Sequence, residues 1–319
     1  MKKYFKFVLV VIILIVLPSS FIFAAGGQET ATQNPIKVGF IAALSGSLAT
    51  YGEEQVNGAK LAEIDINNAG GILGRPMELV IKDTKAFVDE HPAELVDELV
   101  QKDEVLFIAG ATADSVGWTA RERAIYRNIP FLGFVPGDSM ATRGENLHPW
   151  VISTYTDTEV TAWCAIGYLF SHDLVPKNAV TIGPDYEWGW ANAQAVKKPI
   201  EAFGGKVIDD IFTAVAATKF DTIVAQIKSI MPEGGTIYSS HFGVDLYQLI
   251  HEVYVAGLLD RGYAFVKNSV YGPISYGIMP QKEIEGIWVV QDYYPYSPDD
   301  EMNMKWIERY YEEYGILPG

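Results

Sequence analysis

The chain has 319 residues and a formal net charge of −16, with 40 acidic side chains against 24 lysines and arginines. This negative charge disfavours nucleic acid and anionic membrane surfaces as partners, because both would repel the protein. The single cysteine, Cys164, excludes an intramolecular disulfide and a cysteine-based zinc cluster. Cys164 lies in an apolar helical pattern, and we expect it to be buried.

Residues 1–25 have the three-part layout of a signal peptide. A lysine cluster precedes an unbroken apolar run over 7–17, and small residues follow at Ala24 and Ala25. A membrane span over 7–25 is the alternative because the length is about sufficient, but Pro18 interrupts it. We therefore expect cleavage near Ala24 or Ala25 and export to the periplasm or beyond.

Short apolar runs then alternate with longer amphipathic segments, which predicts βαβ units and an α/β fold with parallel sheets between helices. The alternation is interrupted by a polar connection near 150–158 and restarts. Because the remaining chain exceeds the usual size of one core, we expect two Rossmann-like lobes joined by a hinge. We assign 36–155 and 286–319 to the N-terminal lobe and 156–285 to the C-terminal lobe. The predicted strands cover 36–42, 77–81, 105–109, 130–134, 179–183, 206–212, 236–239, 269–271 and 286–291.

Motifs of the common enzyme classes are absent from this sequence. No G-x-G-x-x-G follows the first predicted strand, and no G-x-S-x-G elbow occurs. The five histidines show no metal-binding spacing. We therefore expect a protein that is not an enzyme and that has no catalytic residue, metal or cofactor.

Ligands of open parallel sheets bind beyond the carboxyl ends of the strands. The loops predicted at those ends hold most of the polar and aromatic candidate residues. They cover 43–50, 110–115, 135–139, 184–188, 240–243 and 272–275.

Several sequence elements, in a fixed order, resemble the solute-binding proteins of ABC transporters that capture branched-chain amino acids and related compounds. The resemblance covers 36–319. In the first half it is carried by LSGSLATYG at 44–52, NGA at 57–59, INNAGGILGR at 66–75 and KDT at 82–84, and in the second half by DYEWG at 185–189, FGGKV at 203–207 and FD at 220–221.

This resemblance implies a type I periplasmic binding fold whose two lobes close on a small organic ligand. It implies an extracytoplasmic protein, expected to be a monomer, that delivers an amino acid or related compound to a membrane permease. A ligand-sensing module of the same fold, not coupled to transport, is the alternative. Because members of this family usually run further, we expect the chain to be truncated at its C-terminus.

In the first lobe the resemblance places Tyr51 and the loop around Asp114 and Ser115 at the ligand. Ser115 corresponds to a position where a hydroxyl grips the ligand carboxylate, but Ser115 and Asp114 are also good helix N-caps. Asp114 at the hydroxyl position would disfavour a plain carboxylate ligand. Tyr51 either lines the cleft or only begins its helix.

Two further loops hold candidates at which the sequence departs from the family pattern. Gly137 and Asp138 stand where the family offers backbone groups and a threonine to the ligand head group. Asp138 either binds an ammonium group or belongs to a Pro-Gly-Asp turn. Ile274 or Ser275 stands where amino-acid-binding members carry a glutamate for the ammonium group.

In the second lobe we expect Trp188 and Phe242 to face the ligand. Trp188 opens a helix directly after a strand, so we expect it to contact ligand and not to be buried within the lobe. Phe242 follows another strand and corresponds to a cleft aromatic of the family. Its neighbour His241 is more typical of a satisfied structural histidine than of a proton switch.

Overall fold

The computed structural model describes residues 34–85, 91–133, 142–268, 279–291, 293 and 300–318. In these residues the chain forms two five-stranded sheets, and every pairing between neighbouring strands is parallel. The first lobe contains β1 (Ile36–Ala42), α1 (Ala49–Asn68), β2 (Met77–Asp83), α2 (His91–Gln101), β3 (Phe107–Gly110), α3 (Asp114–Tyr126), β4 (Phe131–Gly133) and β5 (Val151–Ser153).

The second lobe begins with a helix and repeats the same alternation. It contains α4 (Thr158–Ser171), β6 (Asn178–Pro184), α5 (Glu187–Ala202), β7 (Lys206–Thr213), α6 (Asp221–Ile230), β8 (Gly235–Ser239), α7 (Gly243–Val255), β9 (Tyr263–Asn268), α8 (Gln281–Ile284) and β10 (Trp288–Val290). A final helix, α9 (Glu301–Tyr314), follows. The predicted α/β class with two Rossmann-like lobes is confirmed.

The two sheets have the same topology. Their strand orders are β2-β1-β3-β4-β5 and β7-β6-β8-β9-β10. In a sheet of this order, the second strand is added on one side of the first strand and the third strand on the other side. A crevice forms where the order reverses, at the carboxyl ends of the first and third strands. The loops after β1 and β3, and those after β6 and β8, therefore border the crevices of the two lobes.

Each sheet is covered by apolar side chains on both faces, as parallel sheets require. In the first lobe, Ile108 and Phe131 belong to one buried cluster and Phe40 and Ala109 to another. In the second lobe, separate clusters form around Phe265 and around the α4 and α5 helices. Successive residues of a strand point to opposite faces of the sheet, and both faces are covered by helices. Most residues of the inner strands are therefore buried, which explains the nearly continuous apolar runs in the sequence.

Two glycines allow the first helix after each leading strand to pack closely on its own loop. A Cβ on Gly52 of α1 would lie 1.9 Å from the carbonyl oxygen of Ala43, and one on Gly189 of α5 would lie 1.9 Å from that of Pro184. Neither distance is possible for a real side chain. The two lobes thus use the same device at equivalent positions.

Several sequence predictions differ from the structure. The strand expected at 269–271 lies earlier, as β9, and the polar connection at 150–158 contains the short strand β5. The return to the first lobe predicted at residue 286 is too early, because β10 pairs with β9 in the second sheet. Cys164 is exposed and not buried, because it lies on the outer side of α4.

The last helix packs on the first lobe. Arg309 of α9 forms an ion pair with Asp65 of α1, and the Tyr314 hydroxyl donates to the Asn57 carbonyl oxygen at 3.1 Å. The chain therefore crosses back between β10 and α9. Across the described ranges, no helix combines the length and apolar character needed to cross a membrane.

Candidate functional site

The lobes meet at the carboxyl edges of their sheets. Tyr51, which follows β1, packs edge to face on Phe242, which follows β8, with ring centroids 6.3 Å apart. The helices α3 and α5 are also in contact across the lobes. These contacts bring the two crevices together into one interlobe cleft, which is the candidate ligand site.

Hydrogen bonds join the two loops that border the cleft in the first lobe. The Ala43 amide donates to the Thr112 hydroxyl at 3.0 Å, and that hydroxyl donates to Gln55 Oε1 at 2.8 Å. Gln55 Nε2 in turn donates to the Ala111 carbonyl oxygen at 3.3 Å. Ala111 has a φ of +79°, a left-handed conformation that is strained for alanine and is found preferentially at functional sites.

Asp114 begins α3, and only 2% of its surface is exposed. The N-cap residue of α3 is Ala113, and it makes no side-chain capping bond. The N-cap position is therefore occupied by Ala113 and by neither Asp114 nor Ser115. Asp114 lies at the positive end of the helix dipole, which stabilises its negative charge, and Ser115 beside it is half-buried.

Tyr51 belongs to the first turn of α1 and also reaches the opposite lobe. Burial raises the pKa of its hydroxyl well above the ordinary value, Tyr247 adds to the increase, and a backbone hydrogen bond from Gly243 opposes it. Tyr247 and Gly243 both belong to α7 of the second lobe. Tyr51 therefore begins its helix and borders the cleft at the same time, so the two sequence interpretations are compatible.

Phe242 lies on the other side of the cleft. It is half-buried, and it packs against the apolar cluster of the first lobe that contains Leu48 and Ala43. Tyr186, the residue before α5, also packs edge to face on Phe242, with centroids 6.5 Å apart. An aromatic group made of Tyr51, Tyr186 and Phe242 thus spans the two lobes.

Trp188 is not exposed at the start of its helix. Only 5% of its surface is accessible, and its indole Nε1 donates to the Ser240 carbonyl oxygen at 2.8 Å. This bond joins the first turn of α5 to the loop after β8 within the second lobe. The expectation that Trp188 would not be buried is wrong, because the neighbouring loop covers the first turn of α5.

His241 is fully buried and has partners on both ring nitrogens. Nε2 lies 2.8 Å from the Thr213 hydroxyl and Nδ1 lies 3.4 Å from the Ser239 hydroxyl. Burial, with a contribution from Lys267, lowers the pKa of the imidazole to about 3. The ring is neutral at physiological pH, in agreement with the structural role expected from sequence.

A buried pair of charged residues lies beneath the cleft in the second lobe. Asp245, in the first turn of α7, is 3% exposed, and Lys267, near the end of β9, is 0% exposed. Burial raises the pKa of Asp245 to about 6 and lowers that of Lys267 to about 7, while each charge opposes the shift of the other. Lys267 Nζ donates to the Asn268 carbonyl oxygen, which places the ammonium group at the carboxyl edge of the sheet.

Sequence reasoning did not select Tyr186, Asp245 or Lys267 as site residues. A lysine within the apolar strand YAFVKN is a signal that could have identified Lys267, because an unpaired buried lysine is costly. Asp245 has no comparable signal, since acidic residues are common in first helical turns. Gly137, Asp138 and Ser275 lie outside the described residues, so their predicted roles stay predictions.

The arrangement is suited to binding. Aromatic rings and buried carboxylates converge from two lobes, and across the described parts of the chain no group of three or more His, Cys, Asp or Glu side chains is placed to hold a metal ion. Concave sites that combine apolar rings with a few placed polar groups are typical of small-molecule ligand sites. The fold and site define a two-lobed binding protein.

The chain belongs to the periplasmic binding protein family, whose model matches residues 35–318. It is 25% identical over 236 residues to the Leu/Ile/Val-binding protein of Escherichia coli (strain K12). The aligned region covers 72% of this chain and 61% of that protein. It is 22% identical over 267 residues to the leucine-specific-binding protein of Salmonella typhimurium (strain LT2), covering 83% and 68%. The match therefore spans about three fifths of the length of the first of these relatives.

Solved structures share the fold. A solute-binding protein of an ABC transporter from R. palustris, in complex with benzoate, superimposes with a TM-score of 0.78 at 23% identity and covers 89% of this chain and 76% of that chain. A leucine-binding protein from Thermotoga maritima gives a TM-score of 0.76 at 18% identity, covering 89% and 77%. The type I periplasmic binding fold expected from the sequence resemblance is confirmed.

Proposed function

We propose that this protein captures a small organic ligand, an amino acid or a related compound, between its two lobes and delivers it to the permease of an ABC transporter. Hinge closure sequesters the ligand and creates a closed surface for docking. The protein binds and releases its ligand without making or breaking a bond. The predicted export signal, which lies outside the described residues, supports an extracytoplasmic location.

The contact between Tyr51 and Phe242 is the observation that carries this proposal. These residues come from different lobes: Tyr51 lies in the first turn of the helix that follows β1, and Phe242 lies in the loop that follows β8. A ligand bound at either crevice would therefore contact both lobes. Relatives named for binding leucine, isoleucine and valine, and a structural neighbour in complex with benzoate, support a ligand of this size.

A thermal-shift panel tests the proposal. The purified protein is heated with aliphatic amino acids, aromatic acids, short amides and polyamines in separate samples. A compound present at about 100 times its Kd adds roughly 2.7 kcal/mol to the free energy of unfolding, which gives a clear increase in Tm. We expect at least one class to produce this increase.

A control separates cleft binding from general stabilisation. The variant Phe242→Ala removes a ring from the cleft, whereas Val244→Ala truncates an exposed side chain in the first turn of α7, the helix that Phe242 precedes. The increase in Tm should shrink in the first variant and persist in the second. If the protein unfolds cooperatively and no class of compound raises its Tm, the proposed function is contradicted.

A further inference from the structure

The loop after β3 begins with a strained residue. Ala111 has a φ of +79°, a left-handed conformation that glycine adopts readily and that alanine adopts only under constraint. Ala111 is fully buried, and its amide donates to the Ile41 carbonyl oxygen at 2.7 Å. Gly110 before it also has a positive φ, of +106°. The chain therefore turns sharply where β3 ends, at the edge of the interlobe cleft.

The side chain of Gln55 holds this turn from α1. Its Nε2 donates to the Ala111 carbonyl oxygen at 3.3 Å, and its Oε1 accepts from the Thr112 hydroxyl at 2.8 Å. The same hydroxyl accepts from the Ala43 amide at 3.0 Å, in the loop after β1. One side-chain amide therefore satisfies an acceptor and a donor of two successive residues, and through Thr112 it links both loops that border the cleft in the first lobe.

The close packing of α1 brings Gln55 within reach of this loop. Gly52, three residues earlier in the helix, allows the backbone of α1 to lie against the loop after β1. The second lobe repeats the spacing, because Asn192 follows Gly189 by three residues in α5. Asn192 is 1% exposed, and its Oδ1 accepts from Asn268 at the end of β9. In each lobe a side-chain amide at this helical position therefore bonds to the chain at, or directly after, the carboxyl end of another strand.

The strained turn leads directly into α3. Only two residues separate Ala111 from Asp114, which begins the helix, and α3 contacts α5 of the second lobe. The backbone direction at Ala111 therefore determines where the first turn of α3 lies. A relaxed, negative φ at Ala111 would redirect that turn. The conformation of one residue thus fixes part of the surface that the first lobe presents to the second.

We propose that Gln55 is a positioning residue for ligand capture: its amide keeps Ala111 left-handed and thereby holds the start of α3 in the geometry that binds. This inference rests on the proposed function. Gln55 acts through Ala111 and not by touching the ligand. A strained conformation persists only where surrounding contacts enforce it, and the bonds from Gln55 to Ala111 and Thr112 supply that enforcement. Glycine at position 111 would make it unnecessary, because glycine adopts this φ without strain.

Calorimetric titration of matched variants tests the proposal. Leucine and benzoate are the first titrants, followed by acetamide and putrescine, and the affinity compared is that of the tightest-binding compound of the four. Gln55→Ala should bind it about 10-fold more weakly. Gln194→Ala, which truncates an exposed glutamine within α5, should bind as the unmodified protein does. In the Ala111→Gly background, Gln55→Ala should cost less than about 3-fold.

Conservative changes separate hydrogen bonding from packing. Thr112→Ser keeps the hydroxyl and should retain the affinity, whereas Thr112→Val keeps the shape but removes both hydrogen bonds and should lower the affinity by about 10-fold. Gln55→Glu keeps an acceptor for the Thr112 hydroxyl, but its carboxylate cannot donate to the Ala111 carbonyl oxygen. It should therefore bind as weakly as Gln55→Ala does.

Hydrogen exchange measured by NMR without added compound examines the loop directly. The amides of Ala43 and Ala111 should exchange about 10-fold faster in Gln55→Ala than in the unmodified protein, because the loop opens locally. The amide of Ile237, fully buried in β8 of the second lobe, should keep its rate and so show that the variant is folded. Gln194→Ala should leave all three rates unchanged.

The outcomes separate this inference from the proposed function. Unchanged affinity in Gln55→Ala, or an equal loss in the unmodified and the Ala111→Gly backgrounds, would overturn the inference and leave the proposed function intact. Unchanged exchange at Ala43 and Ala111 would show that the amide does not hold the loop, which overturns it as well. If neither the four compounds nor the wider panel binds, the proposed function fails and the role of Gln55 in capture fails with it.

Discussion

Tyr51 of the first lobe and Phe242 of the second lobe meet edge to face, with ring planes at 89° and centroids 6.3 Å apart. Edge-to-face aromatic pairs contribute about 0.5–1.5 kcal/mol beyond the burial of their surface. Here that energy is available only when the lobes are close together. The pair therefore favours the closed arrangement over an open one.

Replacing Phe242 with alanine should weaken ligand binding by destabilising the closed arrangement. We expect a loss of about 1–2 kcal/mol, or roughly 5- to 30-fold in Kd, measured by calorimetry. Small-angle scattering should show a larger radius of gyration for the ligand-free variant than for the unmodified protein. Equal affinity and equal dimensions in the two proteins would show that the ring contact does not contribute to closure.

Trp188 should behave as a residue of the lobe interior. Trp188→Phe removes the indole bond to Ser240 and should cost about 1 kcal/mol of unfolding free energy, and Trp188→Ala should cost about 3–5 kcal/mol. Trp190→Phe is the matched control, because the Trp190 indole is 48% exposed and donates to Asp185 at the surface. Chemical denaturation without ligand measures all three. An unchanged midpoint in Trp188→Ala would contradict the burial of this side chain.

The close helix approaches in both lobes should depend on glycine. Gly52→Ala and Gly189→Ala each force a Cβ against a backbone carbonyl and should destabilise the protein by about 1–3 kcal/mol. Gly58→Ala lies in the same helix as Gly52, where a Cβ meets nothing within 4 Å. That variant should increase stability by about 0.5–1 kcal/mol, because alanine favours helix. Thermal unfolding that ranks the three variants differently would contradict this account of packing.

His241 should make the protein sensitive to acid. Its pKa is about 3 in the folded protein and about 6.5 when unfolded, so the unfolded chain binds the extra proton at intermediate pH. The stability that depends on neutral His241 is complete above pH 6.5 and is lost as the pH falls toward 3. Between pH 6.5 and 4.5 the loss from this group is about 2–3 kcal/mol.

A variant isolates this contribution. His241→Asn should show a smaller decrease in unfolding free energy from pH 6.5 to 4.5 than the unmodified protein, whatever its absolute stability. His172→Asn, at an exposed position, should keep the full decrease. The same pH slope in all three proteins would mean that the His241 imidazole is already accessible to protons in the folded state.

The sequence alone determined the class of fold and predicted a ligand site in the loops at the carboxyl ends of the strands. The alternation of apolar runs and amphipathic segments is a local property, and each lobe repeats it, so two parallel sheets could be predicted along with the loops at their carboxyl ends. The family resemblance places Tyr51, Asp114 and Phe242 at the ligand, and all three lie in those loops or in the helical turns that follow them. The sequence does not define the ends of the strands, because short runs such as β5 and β9 lack a distinct hydrophobic period.

Only the tertiary structure decided which side chains are buried and which converge. The burial of Trp188 depends on a carbonyl group 52 residues away in the chain, at Ser240. The contact between Tyr51 and Phe242 depends on how the two lobes come together. Side-chain periodicity reports contacts within one helix or strand, whereas desolvation and the pairing of charges depend on neighbours that are distant in sequence. The coupling of Asp245 with Lys267 therefore became visible only in the folded chain.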